Sequence, residues 1–137
     1  MSYHTILIVG RLGREPEMRY TPSGQPVTNF NLAANRQYAD ANGEAAKETI
    51  WFKVSAWGKT AESCSQYLHK GSLVLVEGRL TCDPETGGPR LYNRKDGSSA
   101  TSFEVSASTV RFLGGSEGES DTSANDSNSP LYGEIQF

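Results

Sequence analysis

Apolar and polar positions alternate with a period of two in five stretches of this chain, at about residues 5–12, 27–36, 48–57, 73–81 and 101–113. Each is rich in Val, Ile, Phe, Trp or Thr and is bounded by turn residues, so each predicts a strand. In the second, Phe30, Leu32 and Ala34 alternate against Asn29, Asn31 and Ala33. The run Asp40-Ala41-Asn42-Gly43 that follows predicts a tight turn, because Asn-Gly supplies the positive φ that hairpins need. Only residues 59–69 read as a helix, with Ala61, Cys64 and Leu68 on one stripe and Gly71 just past its end. Residues 82–100 are punctuated by Asp83-Pro84, Gly87-Gly88-Pro89 and Lys95-Asp96-Gly97, and predict a projecting hairpin that carries Tyr92. Three strands, a helix and two more strands is the order of an OB-fold, whose strands two and three bind oligonucleotides or oligosaccharides. The expected fold is therefore all-β: a five-stranded OB-fold barrel with one short helix between strands three and four, plus a disordered C-terminal tail. Other small barrels share this order, so the residues must decide.

Length and charge divide the chain in two. The 137 residues suit one domain and a tail. Residues 1–115 hold all 13 Lys and Arg against 11 acids, a charge of +2, while residues 116–137 hold five acids and no base, which together give the net −3. Polar residues 116–130 contain a single alanine as their only apolar residue, too little to offset the entropy of ordering. The end, Leu131-Tyr132-Gly133-Glu134-Ile135-Gln136-Phe137, is apolar again and reads as a recognition peptide or a frayed terminus. The longest apolar runs, Ile6-Leu7-Ile8-Val9 and Leu73-Val74-Leu75-Val76, fall far short of the roughly 20 residues that span a bilayer. With no leader segment legible, the expected location is the cytoplasm. Cys64 and Cys82 are expected to be free thiols, and neither they nor His4 and His69 fall at metal-ligand spacing. No metal or other cofactor is expected. Catalysis has no foothold either: no nucleophile is paired with a base, and Gly10-Arg11-Leu12-Gly13 lacks the Gly-Lys-Ser/Thr of a phosphate loop.

The third predicted strand carries the chemistry. Alternation sends Ile50, Phe52, Val54 and Ala56 to one face, the core, and Trp51, Lys53, Ser55 and Trp57 to the other. A solvent face rarely holds both of a chain's tryptophans, and the lysine between them argues against a second core. At roughly 3.4 Å per residue the two rings stand about 20 Å apart, room for several bases. Base stacking on such rings is sequence-tolerant, because every base has a π-face. The alternative is that the rings cover a helix or a partner subunit. Cations interleave with aromatics elsewhere: Arg11, Arg14 and Arg19 near the first loop, Arg36 beside Tyr38, and Arg90, Arg94 and Lys95 around Tyr92. Phosphate contacts from these would give salt-dependent affinity. No duplex-reading motif is present, so single strands are the better target. An adaptor that keeps the fold but binds protein or RNA is the second reading.

Five motifs then resemble one family, the bacterial single-stranded DNA-binding proteins of replication and repair, over about residues 3–114. They are Val9-Gly10-Arg11-Leu12-Gly13-Arg14-Glu15-Pro16-Glu17-Met18-Arg19-Tyr20, Phe30-Asn31-Leu32-Ala33, Trp57-Gly58-Lys59-Thr60-Ala61-Glu62, Tyr67-Leu68-His69-Lys70-Gly71 and Val76-Glu77-Gly78-Arg79-Leu80. The resemblance implies a nucleoid-associated homotetramer that coats single-stranded DNA, with 1–115 as the binding and oligomerisation domain and 116–137 as the flexible tail. It implies stacking by Tyr38, Trp51, Trp57 and Tyr92, supported by Lys53, Arg36, Lys59, Arg11, Arg94 and Lys95. It also implies subunit pairing through Ile6, Leu7, Ile8 and Val9, and docking of replication and repair proteins on Ile135, Gln136 and Phe137. Tyr38 and Tyr92 stand where tryptophan is the more familiar residue, 82–89 looks like an insertion, and the aspartate run expected before the apolar end is missing.

Overall fold

The structure, a computed structural model, describes residues 1–114. Seven strands and one helix follow the chain in the order β1 Ile6–Leu12, β2 Glu17–Tyr20, β3 Pro26–Ala39, β4 Ala45–Trp57, α1 Gly58–Tyr67, β5 Leu73–Thr81, β6 Arg90–Asn93 and β7 Ser99–Gly114. Five of them close a barrel in the order β1-β5-β7-β4-β3, with β3 returning to β1. These five are the predicted strands, the fourth with its predicted bounds and the others lengthened or trimmed at their ends, and the helix lies between the third and fourth of them. All barrel pairings are antiparallel except β4 with β7, which runs parallel from Phe52 to Ser55. The all-β OB-fold expectation holds.

Alternation builds the interior. Ile8, Leu12, Phe30, Leu32, Phe52, Val54, Val74, Val76 and Val105 fill the barrel, each from the inward parity of its strand. Helix α1 closes one mouth, inserting Ala61 and Cys64 with Leu68 just beyond its last turn. Thr28 fastens it by donating its hydroxyl to the Ala61 carbonyl at 2.6 Å. Burial pushes the Cys64 thiol up to about 11, so it stays protonated and unreactive, while Cys82 is exposed. The helix starts and stops earlier than expected, and Gly71, at φ 91°, serves the loop into β5 rather than the helix end.

Two features differ from expectation. β3 and β4 run 14 and 13 residues, longer than the barrel wall, so their far halves leave the barrel as a two-stranded ribbon. Ile50 lies on that ribbon and is 38% exposed, not core. The ribbon ends in a loop where the Asp40 carboxylate accepts from the backbone N–H groups of Asn42 and Glu44, both at 2.9 Å, and Gly43 takes φ 78°. Second, β2 pairs with β3 although all four of its residues are exposed, which leaves no alternation to betray a strand. As expected, β6 pairs with the start of β7 to form the projecting hairpin that carries Tyr92. The stretch ahead of it folds on itself, Asp83 N–H donating to Gly88 and Gly87 N–H to Asp83.

Candidate nucleic-acid interface

The outward face of β4 carries Trp51, Lys53, Ser55 and Trp57, since their neighbours Phe52, Val54 and Ala56 are buried. Trp51 is 53% and Trp57 42% exposed. Cross-strand register extends this face in both directions, because residues directly opposite share a side of the sheet. Val27 stands opposite both Trp57 and Arg19, which joins Arg19 of β2 to the tryptophan row. Asn29, Asn31 and Ala33 stand opposite Ser55, Lys53 and Trp51, and Asn35 and Gln37 opposite Thr49 and Lys47. Glu17 and Glu104 also share this side, opposite Asn29 and Lys53.

Two contacts come from further away. Tyr92 of β6 is brought across β7 to Lys53, whose Nζ lies 4.6 Å from the ring centroid. That cation–π contact adds a third aromatic ring to the face and holds the ammonium beside it. The Trp51 ring lies on the bare backbone of the loop after β1: a Cβ at Gly13 would fall 2.5 Å from Trp51 Cζ3 and 2.7 Å from Cη2. Gly13 N–H donates to the Asn31 carbonyl at 3.0 Å, pinning the loop to β3. On its other side the loop is tied by Glu15, which accepts from His69 Nδ1 at 3.0 Å and from the Lys70 backbone N–H. The Lys70 N–H, then His69, hold the Glu15 carboxyl below its ordinary value.

The remaining expected residues divide. Tyr38 and Arg36 stack on each other at 4.6 Å, and Arg36 Nε meets Glu48 at 2.7 Å. Both have the parity of Phe30 and Leu32, so they occupy the opposite face of the ribbon from Trp51. Lys59 is exposed in the first turn of α1, two residues beyond Trp57, and Arg94 and Lys95 are exposed in the β6–β7 turn. Arg11 Nη1 donates to the Gly71 carbonyl at 2.8 Å and so ties β1 to the loop after the helix. On β1, Ile6 and Ile8 turn inward and Ile8 is buried, while Leu7, 61% exposed, and Val9 turn outward. Ile135, Gln136 and Phe137 lie outside the described residues. Sequence reading did not single out Gly13, Asn29, Asn35, Thr49 or Lys47 as site residues. Only the β3–β4 register and the loop's path identify them.

An open, ring-bearing, cation-bearing sheet face on a five-stranded barrel suits an extended ligand rather than a small enclosed one. Residues 3–113 match the Single-strand binding protein family. The chain belongs to this family. A single-stranded DNA-binding protein of Neisseria meningitidis serogroup A is 39% identical over 115 residues, 84% of this chain and 62% of that protein. The chain thus spans less than two thirds of that relative's length. Single-stranded DNA-binding protein 1 of Chlorobaculum tepidum is 37% identical over 133 residues, 93% of this chain and 76% of its own. Among solved structures, a small single-stranded DNA-binding protein from Streptomyces coelicolor superposes with a TM-score of 0.67 at 29% identity, covering 82% of this chain and 96% of that one. Family membership thus agrees with the fold and with the open face built from β2, β3, β4 and the β6 hairpin.

Proposed function

We propose that this chain binds single-stranded DNA with little sequence preference, without catalysis, and protects it during replication, recombination and repair. One observation carries the reading: Trp51, Lys53 and Trp57 stand on one exposed sheet face, with Tyr92 packed under Lys53. The names of its relatives agree with it. Bases would stack on the rings, and Lys53, Lys59, Arg19, Arg94 and Lys95 would meet phosphates. Self-association into a tetramer is part of the proposal. β1 pairs with β5 along Ile6–Arg11 but with β3 only at Arg11 and Leu12, which leaves one edge of residues 6–9 without a strand partner among the described residues, beside the exposed Leu7. Residues 1–115 then form the binding and oligomerisation domain. The tail 116–137 would present Ile135, Gln136 and Phe137 to partner proteins at the nucleoid.

Tryptophan fluorescence titrated with oligo-dT, against duplex of equal length and across a salt series, tests the reading. Quenching by oligo-dT alone, weakening as salt rises, is the expected result. Absence of any binding to oligo-dT sinks it and favours the adaptor.

The loop under Trp51 gives a finer test. Gly13→Ala places a methyl inside the ring's present position, and an exposed ring yields more readily than backbone. The variant is expected to keep the wild-type thermal midpoint, to shift tryptophan emission, and to lose about threefold to tenfold in oligo-dT affinity, part of what one stacked base contributes. Unchanged emission and affinity would mean that the loop does not place the ring.

A further inference from the structure

Two cations and one acid meet where β4, β7 and β6 adjoin. Lys53 of β4 stands opposite Glu104 of β7, and two residues earlier on β7, Ser102 stands opposite Arg90 of β6. Opposed residues share a side of the sheet, as do positions two apart on a strand, so Arg90, Tyr92, Lys53 and Glu104 lie on the side of Trp51 and Trp57. The opposed pair both lean toward the hairpin. Lys53 Nζ lies 4.6 Å from the Tyr92 ring centroid, and Glu104 Oε2 accepts from Ser102 Oγ at 3.4 Å. Glu104 nevertheless pairs with neither cation, for the ion pairs among the described residues are Arg36 with Glu48 and His69 with Glu15. It is half-buried against the strand, while Lys53 and Arg90 are exposed.

That arrangement sets a fixed negative charge beside two exposed positive ones. A close ion pair would satisfy the acid with one cation; a carboxylate held apart from both acts on whatever they attract. A phosphate drawn to Lys53 or Arg90 therefore also meets the repulsion of Glu104. We propose that Glu104 is an affinity-limiting residue of this interface: its charge opposes the phosphate contacts of Lys53 and Arg90, so that the strand is held loosely enough to be released. The proposal rests on the reading of this face as a site for single-stranded DNA.

The test measures oligo-dT affinity of the full chain across a salt series. Glu104→Gln removes the charge but keeps the shape and an oxygen that can accept from Ser102. It is expected to bind about threefold tighter or more at low salt, the repulsion of one unit charge across several ångströms of water, and to lose that advantage as salt rises. Its affinity therefore falls more steeply with salt than that of the wild type. Glu104→Ser, a second neutral variant matching Ser102 and Ser106 on the same side of β7, is expected to show the same gain, so that poor folding of one variant does not spoil the test. Glu104→Asp keeps the charge and should stay within about twofold of wild type. Glu77→Gln removes an equal charge from β5, opposite Leu7 and Thr109, and should also stay within about twofold. An equal gain in Glu77→Gln would trace the effect to net charge and overturn the proposal. Neutral variants at Glu104 that bind no tighter, or more weakly because the carboxylate orients Lys53, would overturn it too and leave DNA binding standing. Failure of the wild type to bind oligo-dT is a different result, which overturns the reading of the face itself.

Discussion

Trp51→Ala is expected to weaken oligo-dT binding by about 1 to 3 kcal/mol, roughly 5- to 150-fold, without unfolding the protein. The two halves of that expectation have separate causes. Binding falls because the indole supplies the largest stacking surface on β4, and its position on the Gly13 backbone is fixed before any ligand arrives. Folding persists because the ring is 53% exposed, while its neighbours Phe52 and Val54 supply the core contacts of that strand. Trp57, six residues along the same side, stands about 20 Å away, so the double variant should lose the sum of the two single effects. Equilibrium titration at fixed salt measures the loss, and far-ultraviolet dichroism checks the fold. An affinity within about twofold of wild type would remove Trp51 from the interface.

Much of this site was legible in the sequence because strand parity is local information. The alternation through 51–57 assigns Trp51, Lys53 and Trp57 to one side and Phe52, Val54 and Ala56 to the other, as the structure has them. Parity does not say where a strand leaves the barrel. Ile50 therefore counted as core although β4 there runs beside Ala34 and Asn35 in the exposed ribbon. Nor does parity relate one strand to the next. Tyr38 reads as a companion of Trp51 until register places it opposite Ala46, on the other side of the ribbon. The meeting of Tyr92 with Lys53 depends on a parallel pairing of β4 with β7 that puts Lys53 opposite Glu104, then on the β6–β7 hairpin that puts Tyr92 opposite Ala100. Contacts of such sequence separation leave no periodic trace. β2 has no signature in the sequence for a simpler reason: all its residues are exposed, and hydrophobic alternation is the signal by which strands are read.

A large loss of stability is expected at Gly10, where the barrel closes. β1 reaches β3 through only two register pairs, Arg11 with Ala33 and Leu12 with Leu32, and Gly10 lies just before them. A Cβ there would fall 2.3 Å from the Ala33 carbonyl oxygen and 3.0 Å from its carbon. Those are backbone atoms of the longest pairing in the sheet, β3 with β4, so the methyl cannot be relieved by turning a side chain. Either β1 lifts from β3 or the β3–β4 pair shifts against the core, and each exposes Leu12 and Leu32, both now buried. Gly10→Ala is accordingly expected to cost about 3 kcal/mol or more, the upper range of overpacking. With a slope of roughly 1 to 3 kcal/mol per molar, the urea midpoint should fall by about 1 to 3 M. Protein concentration must be held constant, because self-association through β1 would make the midpoint concentration-dependent. Gly88→Ala is the control: its Cβ meets nothing nearer than Thr86 Oγ1 at 3.6 Å, and it should unfold with the wild type. Because the same seam carries the loop on which Trp51 rests, Gly10→Ala should also blunt oligo-dT affinity, whereas Trp51→Ala should leave the urea midpoint where it was. A Gly10→Ala protein with the wild-type midpoint would mean that β1 and β3 are not in the close contact on which barrel closure, and the placement of Trp51, depend.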